Sequence, residues 1–245
     1  MELFEPIIKS VKRFIEDHDQ KRTWTAGEET SWPEGGNRNI VLRENIGLEL
    51  GSPETQSLSC ILWTENTDLI HDGLITLAGP DLSESYEKSL AFAKIVLVGV
   101  TGFTEENTYE RYQDMELIRY QLDLKGFMLR AVSQYMREWC RISREAVINE
   151  FSAQVLGSAL MKLFHEKSYV KAFEVIFLTS GTDDVKSLKE ITEPSGKIIS
   201  AMNKMAEEFD FDCASCEYQD VCNEADALRG MRDTLRNKSR EVRHG

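Results

Sequence analysis

Three of the chain's five cysteines lie close together, in the sequence Cys-x2-Cys-x5-Cys at Cys213, Cys216 and Cys222. The two-residue spacing lets one turn of backbone direct the first two sulfurs at a single ion, and Cys222 can join them from the next turn. Thiolates are soft ligands that favour iron–sulfur clusters or zinc. The motif therefore predicts a metal site, and three reduced thiols without a function are the alternative interpretation.

A cluster or zinc ion of this kind normally has four protein ligands, whereas the motif provides three. Cys60, Cys140, His165 or a group from outside the chain can complete the shell, and the spacing does not choose among them. A thioredoxin-type redox pair is disfavoured, because no βαβ pattern surrounds the motif. The sequence has no glycine-rich phosphate loop, Gly-x-Ser-x-Gly or His-Glu-x-x-His motif, so it indicates no other catalytic site.

The first part of the chain is predicted to form a helix followed by a polar arm. Apolar residues recur at helical spacing over residues 3–15, so one face must pack on the main domain or on a second copy of the chain. An isolated amphipathic helix is marginally stable, and a homodimer through this helix is therefore an expectation. The arm at 20–39 contains Gly and Pro, and we predict that Trp24 and Trp32 anchor it.

Strands and helices follow without regular alternation, a pattern typical of an α+β fold with a mixed sheet and several long helices. β-Branched residues between turn signals predict strands at 39–50, 57–63, 73–79, 93–100 and 172–180. Apolar residues at three- and four-residue steps predict helices at 109–140, 144–166 and 196–209. The expected domains are a helix-and-arm segment (1–38), an α+β domain (39–209) and a cysteine motif with a basic tail (210–245).

One break in the first long helix is expected at Gly126. The stretch at 181–191 is predicted to be a loop, with Asp183 or Asp184 as the N-cap of a helix.

The charge and hydropathy of the chain limit its function classes. A net charge of −13 argues against general binding to nucleic acid, which depends on neutralising phosphates. No apolar run approaches the ~20 residues that cross a bilayer, and the N-terminus does not resemble a signal peptide. Five cysteines, an odd number, do not indicate a secreted disulfide framework. The composition predicts a soluble, cytoplasmic protein without a membrane partner.

Three stretches in the same order resemble acetyl-CoA synthase, the β subunit of the CO dehydrogenase/acetyl-CoA synthase (acetyl-CoA decarbonylase/synthase) complex of anaerobes. They are "IHDGLITLAGPDLSES" (70–85), "EWCRISREAV" (138–147) and the cysteine motif, with "FEVIFLTSGTDDVKSL" (173–188) before it. The resemblance covers about residues 44–231. It implies an α+β fold like the middle domain of that family, followed by the start of the domain that carries its nickel–iron–sulfur centre.

The resemblance also implies roles for the cysteines. Cys213, Cys216 and Cys222 match the first three ligands of the family's iron–sulfur cubane, with Cys216 at the position that bridges to a pair of nickel ions. This sequence departs from the family in two ways: the second gap is shorter, and Met231 and Arg232 stand where the fourth cysteine would fall. The later Cys-Gly-Cys motif for the distal nickel has no counterpart in these residues.

Trp139 and Arg141 match the family's Trp-x-Arg run. The resemblance implies coenzyme A as a ligand there, since an aromatic ring and a guanidinium suit an adenine and a phosphate. Core packing of Trp139 beside an exposed Arg141 is the alternative interpretation.

The functional expectation is a shortened acetyl-CoA synthase-like protein in one-carbon metabolism, accessory in role and holding an iron–sulfur cluster. Without ligands for the distal nickel, the chain alone is not expected to synthesise acetyl-CoA from CO and a methyl group. The expected partners are a CO dehydrogenase subunit, a corrinoid protein or a ferredoxin. The alternative is a scaffold for protein interactions, either metal-free or stabilised by zinc.

Overall fold

The structure is a computed structural model in which two mixed sheets pack together and helices cover them. It describes residues 2–25, 31–36, 39–85, 87–133, 136–207, 217–224 and 227–234. The helices are α1 (Glu5–Glu16), α2 (Thr108–Leu117), α3 (Arg144–Ile148), α4 (Ala153–His165), α5 (Thr182–Glu207) and α6 (Gln219–Glu224), and residues 227–234 are also helical. Short 3-10 turns lie at Arg43–Asn45, Thr67–Leu69 and Ile118–Gln121. The α+β class predicted from the sequence is confirmed.

The first sheet has five strands in the order β1-β4-β9-β6-β3. Its members are β1 (Lys21–Trp24), β3 (Ser57–Thr64), β4 (Leu74–Ala78), β6 (Phe92–Val100) and β9 (Val170–Leu178). The pairs β4–β9 and β3–β6 are parallel, and β1–β4 and β6–β9 are antiparallel. Every residue of β3 and β6 is buried, because helices cover one face and the second sheet covers part of the other.

The second sheet has four strands in the order β5-β2-β8-β7. They are β2 (Ile46–Leu50), β5 (Ser89–Leu90), β7 (Phe127–Ser133) and β8 (Arg137–Ser143). Burial alternates strictly along β8, so one face of this sheet points into the core and the other points outward. The two sheets meet where β3 packs against β8.

Helix α1 buries its apolar face within its own chain. Phe4, Ile8 and Val11 are fully buried, and the helix packs on α5 and β3. Phe4 meets the ring of Trp63 edge-on, with 4.4 Å between the centroids. The main domain, one of the two surfaces predicted for this helix, therefore covers its apolar face. The predicted anchors also pack: Trp32 meets Phe151 edge-on, and its indole donates to the carbonyl of Lys125.

The predicted helix at 109–140 is wrong beyond Leu117. The chain leaves α2 through the 3-10 turn, turns again at Gly126, where φ is +80°, and forms the β7–β8 hairpin. Apolar residues of the hairpin fall at three- and four-residue steps by coincidence, which imitates a helix. In the folded chain every second residue of β8 is buried, which is the pattern of a strand and not of a helix.

Two further helix boundaries differ from the prediction. The stretch at 144–166 forms two helices, α3 and α4, each begun by a serine side chain (Ser143 and Ser152) that accepts from a backbone N–H three residues on. The predicted loop at 181–191 is wrong, because α5 begins at Thr182 and continues through Pro194. Hydroxyls of Thr192 and Ser195 bond to carbonyls of the preceding turn near this proline. Asp183 and Asp184 lie in the first turn of α5, where negatively charged carboxylates interact favourably with the helix dipole.

Candidate functional site

The cysteine motif connects the end of α5 to α6. Cys213 and Cys216 lie outside the described residues, and Cys222 falls in α6, with its side chain outside the described part. Glu217 and Tyr218, which directly follow Cys216, are described, and both line a cavity together with α5. The part of the motif between Cys216 and Cys222 therefore begins at this cavity.

The three other candidate ligands named from the sequence differ in where they lie. Among the residues that the structure describes, no group of three or more His, Cys, Asp or Glu side chains could hold a metal ion. His165 bonds to Asp72, with 3.1 Å between Nε2 and Oδ1. Cys140 is fully buried, and its thiol donates to Glu138 at 3.7 Å. Only Cys60 lines the cavity that Glu217 and Tyr218 also line.

Burial makes both interior thiols resistant to ionisation. It raises the pKa of Cys140 well above the ordinary value, and the charge of Glu138 raises it further. It also raises the pKa of Cys60, against which the charge of Lys94 acts in the opposite direction. A metal ligand must be a thiolate, so the fold as it stands disfavours either residue as the fourth ligand.

We call the cavity beside the motif the tyrosine cavity. Its volume is about 1090 Å³, and residues of β3, of α2 and its 3-10 turn, of the β7–β8 hairpin and of α5 line it. Four tyrosines line it, together with aliphatic, amide and hydroxyl side chains; the tyrosines are Tyr109, Tyr112, Tyr120 and Tyr218. Leu117 and Tyr120 at its rim are 55% and 60% exposed. This combination is typical of ligand sites and of protein interfaces.

A buried charge cluster lies behind the cavity, between the two sheets. Lys94 on β6 contacts both carboxylate oxygens of Glu138 on β8, at 2.5 and 2.7 Å. Arg119 approaches the same carboxylate at 3.7 Å, and the hydroxyl of Ser59 donates to it at 3.1 Å. Burial alone would raise the pKa of Glu138, but the two cations outweigh it and hold this pKa below its ordinary value. Ser59 and Arg119 also line the tyrosine cavity, so the cluster reaches its wall.

The structure brings the predicted pair Trp139 and Arg141 together on the outward face of β8. Both donate to Oε1 of Glu49 on β2, Trp139 from Nε1 at 3.2 Å and Arg141 from Nε at 2.8 Å. The guanidinium groups of Arg141 and Arg130 lie 5.1 and 5.5 Å from the centroid of the indole ring. Trp139 is therefore partly exposed beside two cationic groups, and it is not a fully buried core residue.

Sequence reasoning missed Lys94, Glu138 and Arg119. A lysine inside the apolar run of β6 was the available signal, because a lysine is almost never fully buried unless it is paired. Its partner lies 44 residues away on the other sheet, and no local pattern connects the two.

The architecture and the site together define the class of protein. It is an α+β protein with a cysteine motif, a tyrosine-lined cavity and a cationic aromatic surface, and no helix in the described ranges is long and apolar enough to span a membrane. The sequence model of the CO dehydrogenase/acetyl-CoA synthase complex beta subunit matches residues 34–185. The chain belongs to this family, as the resemblance predicted.

Curated relatives agree with this assignment. The chain is 29% identical over 155 residues to acetyl-CoA decarbonylase/synthase complex subunit beta 2 of Methanosarcina thermophila, covering 62% of this chain and 32% of the relative. It is 27% identical over 183 residues to subunit beta 1 of the same organism, covering 72% and 38%. It is 27% identical over 164 residues to the beta subunit of Methanothermobacter thermautotrophicus, covering 67% and 34%. The chain therefore spans about a third of the length of these relatives.

Proposed function

We propose that the chain is an accessory protein of acetyl-CoA and one-carbon metabolism in which Cys213, Cys216 and Cys222 hold an iron–sulfur cluster. Family membership supports the metabolic setting. The observation that carries the site is the position of Glu217 and Tyr218, which pack at a cavity of the main fold directly after Cys216. A cluster held there would exchange single electrons. The protein would hold it beside a surface that other molecules can reach.

The fourth ligand in this proposal comes from outside the described core. Cys140 is enclosed between the sheets and bonded to Glu138, and His165 is bonded to Asp72. Ionising Cys60 or Cys140 inside the core would carry the desolvation cost that raises the pKa of each. A small molecule or a second chain is the ligand source that this geometry favours.

The spectrum of protein purified without oxygen tests the proposal. An iron–sulfur cluster gives broad visible absorption, which Cys216→Ser should remove. Cys140→Ser is the matched control, because its hydroxyl can still donate to Glu138, and it should keep the absorption. A colourless protein that binds zinc, or one that binds no metal and folds unchanged with all three cysteines replaced, would support the scaffold alternative and contradict the cluster.

We also propose that the isolated 245-residue chain does not synthesise acetyl-CoA. The family's reaction needs a metal that holds CO and a methyl group together, and these residues contain no Cys-Gly-Cys sequence to bind the distal nickel. The proposed role is accessory to a CO dehydrogenase subunit, a corrinoid protein or a ferredoxin, since the relatives are named as subunits of a complex. Acetyl-CoA formation by the nickel-supplied chain alone would contradict this proposal.

Coenzyme A is a second candidate ligand, at the outward face of β8. The observation that favours it is the grouping of Trp139 with Arg130 and Arg141. Glu49 is the one carboxylate bonded to this group among the residues that the structure describes, and Arg130 has no ion-pair partner there. Two cations and one anion leave a net positive charge, which suits the phosphates of the coenzyme. Trp139 would supply a ring face for the adenine.

A further inference from the structure

The tyrosine cavity has a pattern of charge that restricts what it can bind. In the described part of the chain four charged residues line it, and each is paired with one of opposite sign. Arg119 contacts Glu116 and lies 3.7 Å from Glu138 behind the wall. Lys204 lies 3.9 Å from Glu217. A charged ligand would lose its hydration without gaining an uncompensated partner, so the site favours an uncharged one.

Aromatic rings provide the main apolar surface of the cavity. Tyr112 is packed from behind by Trp63, with 5.4 Å between the ring centroids and 31° between the planes. Burial raises the pKa of Tyr112 to about 12, so its hydroxyl stays protonated as a neutral hydrogen-bonding group. Tyr218 is held on the other side by the ammonium of Lys204, 5.9 Å from its centroid. These two rings are therefore fixed by packing before any ligand arrives.

Neutral hydrogen-bonding groups line the cavity together with the rings. Ser200 and Asn203 on α5 and Gln113 on α2 also line the cavity. The amide of Gln113 donates to the hydroxyl of Tyr109 at 2.7 Å, which fixes its orientation. Amides and hydroxyls both donate and accept, and so they match the edge of a ring that carries nitrogen and carbonyl groups.

We infer that the tyrosine cavity binds an uncharged, planar heteroaromatic ring system, of the chemistry shared by nucleobases, pterins and isoalloxazines. The volume of about 1090 Å³ slightly exceeds the ~300–1,000 Å³ range of small-molecule sites, so the cavity has room for a ring system of this size. The tyrosine rings stack on the faces of the ligand, and the amide and hydroxyl groups bond to its edge. This inference goes beyond the proposed function, since it concerns a second ligand, although Tyr218 lies between Cys216 and Cys222.

Riboflavin and adenosine, both uncharged at neutral pH, are the probes that test the inference. Binding is measured for the full chain by equilibrium dialysis, and for riboflavin also by quenching of its fluorescence. We expect saturable binding of at least one probe at one site per chain. The affinity should change less than about twofold between low and high salt, because each charged residue that lines the cavity in the described ranges already has a partner of opposite sign.

Two pairs of variants separate stacking from a general loss of structure. Tyr218→Ala should weaken binding about tenfold, since one base–aromatic stack is worth roughly that much, whereas Tyr218→Phe should stay within about twofold. Ser200→Trp should block the cavity with all four tyrosines retained. Ile148→Ala, at an exposed position on α3 that does not line the cavity, is the control and should bind as the parent does. Each variant is checked by near-ultraviolet circular dichroism.

Several results would overturn the inference. One is the absence of saturable binding of both probes up to millimolar concentration by the folded parent. Another is binding that Ser200→Trp and Tyr218→Ala leave unchanged, which would place the probe elsewhere. A steep loss of affinity with salt would show that a charged group, and not a neutral ring, decides binding.

Discussion

Lys94 on β6 and Glu138 on β8 form a buried ion pair that joins the two sheets, with Nζ 2.5 and 2.7 Å from the carboxylate oxygens. Both side chains are almost fully enclosed. Removing one partner leaves the other charge buried, and this typically costs about 3–5 kcal/mol of stability. We expect Glu138→Gln and Lys94→Met each to lower the free energy of unfolding by about this amount, measured by urea denaturation.

The matched control is an exposed pair. Lys125 and Glu145 lie 2.8 Å apart with both side chains more than half exposed, and Lys125→Met should cost less than about 1 kcal/mol. Equal losses for Lys94→Met and Lys125→Met would show that the buried pair has no special role in holding the sheets together.

The lowered pKa of Glu138 predicts that its contribution to stability depends on pH. The pKa of Glu138 is lowered in the folded protein, so its contribution is complete above the ordinary carboxyl pKa and is lost as pH falls through the lower, folded value. The difference in unfolding free energy between the parent and Glu138→Gln should therefore shrink as pH falls below about 4.5. A difference that stays constant or grows across that window would contradict the assignment.

Substitution of Gly126 tests the turn that leads into the β7–β8 hairpin, where the sequence predicted a helix. Its φ is +80°, and a Cβ there would lie 2.5 Å from Oγ of Ser143. Gly36 also has a positive φ, +63°, but a Cβ at that position meets nothing within 4 Å. Gly126→Ala should lower the free energy of unfolding by about 1–3 kcal/mol more than Gly36→Ala, because it adds a collision to the backbone strain. Similar losses for the two variants would argue against the close packing of this turn.

The sheets could be predicted from the sequence better than the connections between them. Strands β3, β4, β6 and β9 were found because they are apolar runs between turn signals, and that local signal is enough for a buried strand. The β7–β8 hairpin was missed because the spacing of its apolar residues also fits a helix. Pairing of β8 with β2 in the second sheet makes the segment a strand.

The candidate sites divide in the same way. Trp139 and Arg141 were named from a local motif, and two-residue spacing on a strand does place them on one face. The pairing of Arg141 with Glu49 and the cluster around Glu138 depend on which strands become neighbours. Which strands become neighbours depends on the tertiary fold, and the spacing of residues along the sequence does not reveal it.

For coenzyme A at the outward face of β8, we predict the direction in which two substitutions change the binding affinity. Arg141→Ala should weaken binding about tenfold, the loss of one charge-assisted contact. Glu49→Gln should tighten it, because the variant removes the carboxylate that now competes for Arg141 but keeps an acceptor for Trp139. Calorimetric titration measures both. Weaker binding by Glu49→Gln, or no binding by the parent, would exclude this surface as the site.

The iron and acid-labile sulfide content of protein purified without oxygen tests the central claim most directly. The account predicts iron and sulfide near the stoichiometry of one cluster per chain, lost in Cys216→Ser and retained in Cys140→Ser. Metal content at background in the folded parent chain would contradict it, and the family fold would then serve as a scaffold whose partners remain to be found.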